Sequence, residues 1–170
     1  MKQYLCLGIL LLCALPLWLQ AQGIENIVPK GFAPAGTEAR YGLPDQKATD
    51  GSIFDYMDGG GIVYLDYGFR GLVHREFLDP HGRRVTFDRF DMGTPAQAME
   101  ALVDTRIAPE GGRPLPFAAA GQAYRFPPDY FIYMVLDGSL LYLHVDDDAL
   151  AEILDQFAAD IMKSPKEGKE

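Results

Sequence analysis

The clearest periodic signal lies near the C-terminal end of the chain. Ala149, Leu150, Ile153, Leu154, Phe157, Ile161 and Met162 recur at helical spacing, behind Asp146 and Asp147, either of which can cap the helix. The preceding run YFIYMVLDGSLLYLHVD reads as two strands joined at Asp137-Gly138, a dipeptide that favours a two-residue type I′ turn. Residues 130–136 are apolar at every position, as in a strand buried on both faces. A second hairpin pairs residues 71–78 with 84–90 across Asp79-Pro80-His81-Gly82. In its second strand Val85 and Phe87 hold one parity while Phe90 and Met92 hold the other. The phase slip at Asp88-Arg89 predicts a bulge. Residues 122–126 form a short strand that Pro127-Pro128 ends.

Two further helices are predicted. Ser52 with Asp55 three residues on makes a carboxylate form of the capping box. From there Phe54, Met57, Gly61, Tyr64, Leu65 and Gly68 share one helical face, spanning an arc of about 100°. The rival reading ends this helix at Met57 and makes residues 62–67 a strand, which their β-branched and aromatic content allows. Thr94, Pro95 and Gln97 mark the start of the other helix, with Ala98, Met99, Leu102 and Val103 as its buried face. Residues 22–50 are rich in Pro, Gly and Ala and read as an extended lead-in, with one short strand near Ile27 and Val28. The expected architecture is α+β: a mostly antiparallel sheet of about five strands covered by two or three helices, in the order α-β-β-α-β-β-β-α. A single domain fills residues 51–163, and residues 164–170 form a disordered tail.

The N-terminal 21 residues change the picture of where this domain works. Lys2 is followed by an apolar run from Tyr4 to Leu19 and a small residue at Ala21, the three-part pattern of a secretory signal. The run is shorter than the about 20 residues a spanning helix needs. The segment serves either as a cleaved signal or as an uncleaved anchor. Both cysteines, Cys6 and Cys13, lie inside it, so the mature chain holds itself together by its core rather than by disulfides. Loss of Lys2 moves the net charge from −9 to −10. That balance argues against nucleic acid and anionic membrane surfaces as partners, since both reward basic patches. The expected location is periplasmic or extracellular, with no membrane association after cleavage.

DYMDGGGIVYLDYGFR, residues 55–70, carries three consecutive glycines. It matches neither the P-loop nor the Gly-x-Gly-x-x-Gly spacing, because Tyr64 stands where the last glycine belongs. Three glycines inside a helix cost about 3 kcal/mol against alanine, which close packing against a neighbour would offset. The run IFDYMDGGGIVYLDYGF, followed by REFLD and VTFDRFDMGTPAQAMEAL, resembles domain-of-unknown-function family 6599, a family of bacterial exported proteins. Tyr56, Gly59, Gly60, Tyr64, Leu65, Tyr67, Gly68 and Phe69 match its pattern, as do Asp91, Met92 and Gly93. Asp58 stands where the family often has Asn, and Gly61 and Ile62 stand where Ala and Glu are expected. The resemblance implies export and a helical glycine segment; it supplies no reaction.

Candidate chemistry is sparse. His74, His81 and His144 lack the spacing of a metal site, and Asp146–Asp148 lack the spacing of an EF-hand loop, so no metal and no cofactor is expected. Asp88 and Asp91 read as a bulge and a turn. No serine sits in a nucleophile elbow. Tyr56, Tyr64, Tyr67, Tyr124, Tyr130, Tyr133 and Tyr142 fall in the core-forming segments and suit the rim of an apolar pocket. The candidate ligand-binding residues are therefore Asp58, Gly59, Gly60, Tyr64 and Tyr67. The leading expectation is a non-catalytic module for a small ligand or an envelope protein. The alternatives are an enzyme with an acid/base site around Asp58, and a structural accessory subunit of an envelope complex.

Overall fold

The two hairpins meet at the centre of one sheet. In the computed structural model, which describes residues 23–119, 121–128 and 130–164, β3 (Gly71–Leu78) pairs antiparallel with β4 (Arg84–Asp91) over its whole length. β4 in turn pairs with β8 (Ser139–Val145), the partner of β7 (Phe131–Leu136). The sheet continues through β6 (Ala123–Phe126) to a two-residue edge strand, β5 (Arg113–Pro114). At the other edge β1 (Ala33–Pro34) and β2 (Ala39–Tyr41) both pair with β3, one at each end. The α+β class and the antiparallel sheet stand as expected, but the sheet has eight strands rather than about five. The additional strands, β1, β2 and β5, are two or three residues long and two of them contain proline, so they leave no periodic trace. In the lead-in they fall at residues 33–34 and 39–41 instead of at Ile27 and Val28.

Helices cover both faces. α4 (Ala151–Lys163) lays Leu154, Phe157, Ala158 and Ile161 on Phe77, Val85, Phe87, Ile132, Met134, Leu141, Leu143 and Val145. Phe157 meets the edge of Phe77 at 5.7 Å between centroids. The start of α4 is pinned by Arg125, whose Nη2 donates to the Ala151 carbonyl (3.0 Å) and to Asp155 (2.5 Å). The other face is covered by α3 (Pro95–Leu102) and by a broken helix: α1 (Ile53–Met57), a 3-10 turn over Asp58–Gly60, then α2 (Gly61–Asp66). The helical reading of this segment holds, with a break at its first two glycines. The Ser52–Asp55 capping box forms; Thr94 caps α3 by accepting from Gln97 N–H, but its own N–H donates to the Met92 carbonyl, so the second box is not reciprocal.

Three local expectations change. β4 runs in unbroken register against both neighbours, so there is no bulge at Asp88-Arg89. Because the sheet is covered on both faces, apolar residues of either parity find a core, and the phase slip records a change of face. Met99 is half-buried and Val103 is exposed, while Ala98, Ala101 and Leu102 form the buried face of α3. At the β7–β8 turn only Asp137 takes positive φ (53°), so the turn is not type I′. Gly138 is needed there for closeness: a Cβ would stand 2.9 Å from the Gly93 carbonyl oxygen, and its own carbonyl accepts from Met92 N–H at 2.9 Å. The segment read as a signal, residues 1–21, and all but the first residue of the expected 164–170 tail lie outside the described residues. Among the described residues no helix is long and apolar enough to cross a membrane.

Candidate functional site

Cross-strand register arranges the face under α1, α2 and α3 into rows. The first row, Tyr41, Leu72, Phe90, Leu140 and Val135, is sealed beneath the helices apart from half-buried Tyr41. The second carries Ala39, His74, Asp88, Tyr142, Tyr133 and Tyr124. The third carries Glu76, Thr86, His144, Phe131 and Phe126, of which all but Phe126 are half-buried. The face thus grades from a dry apolar core into a half-exposed shelf of rings, with the Tyr/His/Asp row at the boundary.

Asp88 is the pivot of that row and is only 2% exposed. A buried carboxylate is tolerated only when its oxygens are bonded, and both are. Tyr56, held in place one turn after the Ser52 cap, donates its hydroxyl to Oδ2 at 2.7 Å. His74 Nδ1 lies 2.6 Å from Oδ1 and 3.2 Å from the Tyr56 oxygen. A carboxylate only accepts, so the 2.6 Å contact places the ring hydrogen on Nδ1 and leaves Nε2 as the second ring nitrogen. Burial lowers the pKa of His74, but the hydrogen bond and charge of Asp88 outweigh it and the net shift is upward. His144 goes the other way: burial lowers it, and the charges of Asp146 and Asp88 recover only part.

The surrounding phenols are held neutral. Burial first, then the charge of Asp88 and the bond to it, push Tyr56 well above the usual phenol range. Burial pushes Tyr64 up to about 12, against the hydrogen bond it shares with Tyr133. Burial also raises Tyr133 and Tyr142, each helped by a neighbouring tyrosine and by Asp88. None of these hydroxyls serves as a base near neutral pH; they act as hydrogen-bonding groups and as ring faces. The rings adjoin. Tyr56 lies 5.1 Å from both Tyr41 and His74 between centroids. Tyr142 lies 4.9 Å from Tyr133, 5.9 Å from Phe131 and 6.0 Å from His144, the last nearly parallel.

Of the five candidate ligand-binding residues, only Tyr64 joins this cluster, stacking on Phe90 at 4.4 Å; of the other rim tyrosines, Tyr56, Tyr124, Tyr133 and Tyr142 belong to it as well. Tyr67 donates instead to Asp104 at 2.6 Å, in an exposed group with Arg106 and Asp66. Asp58 is exposed at φ 48°, and its side chain makes no hydrogen bond or ion pair among the described residues. Gly59 and Gly60 are exposed, and a Cβ on either would meet nothing within 4 Å, so close packing does not explain them. Gly61 is the packed glycine, where a Cβ would come within 3.1 Å of Ile53. His74, weighed in the sequence only as a metal ligand, and Asp88, read there as a bulge, form the polar centre of the cluster. The available signal was an aspartate in mid-strand at the parity of Phe90, a position where an acid is out of place unless it is partnered.

Among the described residues no group of three or more His, Cys, Asp or Glu is placed to hold a metal ion. No family model matches the chain, and no curated protein and no solved structure matches it either.

Proposed function

We propose that the protein is an exported binding module for a small molecule with a planar apolar body and one polar group. The observation that carries this reading is the half-buried run of rings, Phe131, Tyr142 and His144, on the same sheet face as His74, from which Asp88 separates it. Ring faces give sequence-tolerant stacking with a flat ligand, and the imidazole supplies one directional hydrogen bond. The apolar run ahead of Ala21 and the resemblance to an exported family support the location. Among the described residues the large apolar side chains that stand exposed are Val28, Ile62 and Val103, on three separate segments, which gives little support to an accessory subunit docking through an extended apolar face there.

The test is native mass spectrometry of the full protein purified from its host envelope. A reproducible adduct that leaves on denaturation, and that Tyr142→Ala abolishes, supports the module. A bare mass overturns it.

The His74–Asp88 pair favours a second reading, an acid/base enzyme. A carboxylate bound to Nδ1 fixes the tautomer and leaves Nε2 free to exchange a proton with a substrate. In this form the acid/base centre is His74 backed by Asp88, in place of Asp58. Turnover of small aryl esters that is lost in His74→Gln, with an acidic limb tracking the raised His74 pKa, would establish it; turnover unchanged in that variant would remove it.

A further inference from the structure

A concave site lies on the α4 side of the sheet, beyond the end that α4 covers. It is a cavity of about 350 Å³ between residues 40–48 and the adjoining ends of β3 and β4. Four cationic side chains line it, Arg40, Lys47, Arg70 and Arg89, against one acid, Asp91. The chain as a whole has 24 acidic and 15 basic residues, so four cations to one acid reverses its balance. The backbone wall is fixed. Gly42 and Ala48 both donate to the Gly51 carbonyl at 2.9 Å, and a Cβ at Gly42 would lie 2.2 Å from the Gln46 carbonyl oxygen.

The pairings leave cationic capacity unused. Arg40, itself exposed, meets the half-buried Glu38, and Lys47 meets Asp55 at 3.7 Å with both side chains exposed, where ion pairs are weak. Arg70 has no hydrogen bond or ion pair through its side chain among the described residues; its guanidinium packs over Gly93. Arg89 reaches Glu25 through Nη2 alone, at 3.2 Å, and its buried Nε has no partner among the described residues. Asp91 is occupied in part by the Gly93 N–H at 2.8 Å.

We infer that this recess binds a small anion carrying two or more negative charges, a phosphate ester or a polycarboxylate. Guanidinium forks match the planar oxygen pairs of both groups, and the cavity is of the size that holds a small metabolite. The site is separate from the aromatic shelf on the opposite face, and neither reading depends on the other.

The probes are inorganic pyrophosphate and citrate, titrated calorimetrically into the full mature protein at low ionic strength. Saturable one-to-one binding of either supports the site. Pyrophosphate alone points to phosphate esters, and citrate alone to polycarboxylates. The double variant Arg70→Gln/Lys47→Gln alters two exposed side chains and leaves the core intact. It should weaken binding about tenfold or more, while Lys30→Gln, an exposed cation away from the recess, should not change it. Raising the salt should weaken binding as well. No saturable heat with either anion, or equal loss in the double variant and in Lys30→Gln, overturns the inference.

Discussion

Asp88 and Arg89 are neighbours on β4 and point to opposite faces of one sheet, and their fates differ. The Asp88 side chain, 3% exposed, has a partner for each oxygen: Tyr56 from a helix and His74 from the next strand. The Arg89 side chain, 22% exposed, has one bond, to Glu25; its Nε and the Glu25 Oε2 are both buried without a partner among the described residues. A charge fully satisfied inside the chain is a structural anchor, since every lost bond leaves a desolvated group behind. A charge only partly satisfied, beside a cavity, keeps bonding capacity for something outside the chain. The two faces therefore offer different surroundings. One is an aromatic shelf whose polar centre is internally complete, and the other is a cationic recess whose polar groups are not.

The largest effect should come from breaking the complete cluster. Asp88→Ala leaves the Tyr56 hydroxyl and His74 facing a cavity, and should cost about 3–5 kcal/mol of unfolding free energy in urea titration. A loss below about 1 kcal/mol would show that the cluster does not hold this face. Next comes Tyr56→Phe, which keeps the ring against Tyr41 and His74 and removes only the donor to Asp88. The expected cost is about 1.5–3 kcal/mol, the range for a hydrogen bond to a charged group.

The contrast between the two charges also explains what could be read from the sequence. Elements with their own local code were legible: the Ser52 and Thr94 caps, the β3–β4 hairpin and the stripe of α4 are each specified within a few residues. Strand periodicity misled at Asp88 because it presumes one wet face. Under two helical layers, Phe87 and Phe90 are both buried on opposite faces, and parity no longer separates inside from outside. The partners of Asp88 lie 14 and 32 residues away in sequence, so nothing local announces them. The glycines drew attention for the opposite reason. They are conspicuous locally, yet Gly59 and Gly60 face open space, and only Gly61 meets a neighbour.

pH should separate the two histidines on the shelf. The folded pKa of His74 lies above its ordinary 6.5, so its pairing with Asp88 stabilises the fold fully below about pH 6.5 and is lost as pH rises through the raised value. His144 has a lowered folded pKa, so its contribution is present above about pH 6.5 and is lost as pH falls. The stability difference between wild type and His74→Gln should therefore shrink from pH 6 to pH 9. The same comparison for His144→Gln should move in the opposite sense. Thermal unfolding from pH 6 to 9 checks the first, and from about pH 7.5 down to about pH 5 the second. A His74→Gln difference that is flat with pH would mean that the Asp88 contact carries no charge.

The smallest effect belongs to the incomplete pair. Replacing both charges, Glu25→Leu with Arg89→Met, removes two buried unsatisfied atoms and one 3.2 Å bond while keeping similar volume. Apolar replacement of a poorly satisfied buried pair is commonly neutral or stabilising, so the double variant should fall within about 1 kcal/mol of wild type. The single Arg89→Met change should cost more than the double, because it strands the Glu25 carboxylate. If the double variant instead lost as much as Asp88→Ala, Arg89 would be as much an anchor as Asp88. The spare capacity assigned to the recess would then disappear with the contrast. If stability holds and anion binding falls, Arg89 is retained for what it binds and not for what it holds together.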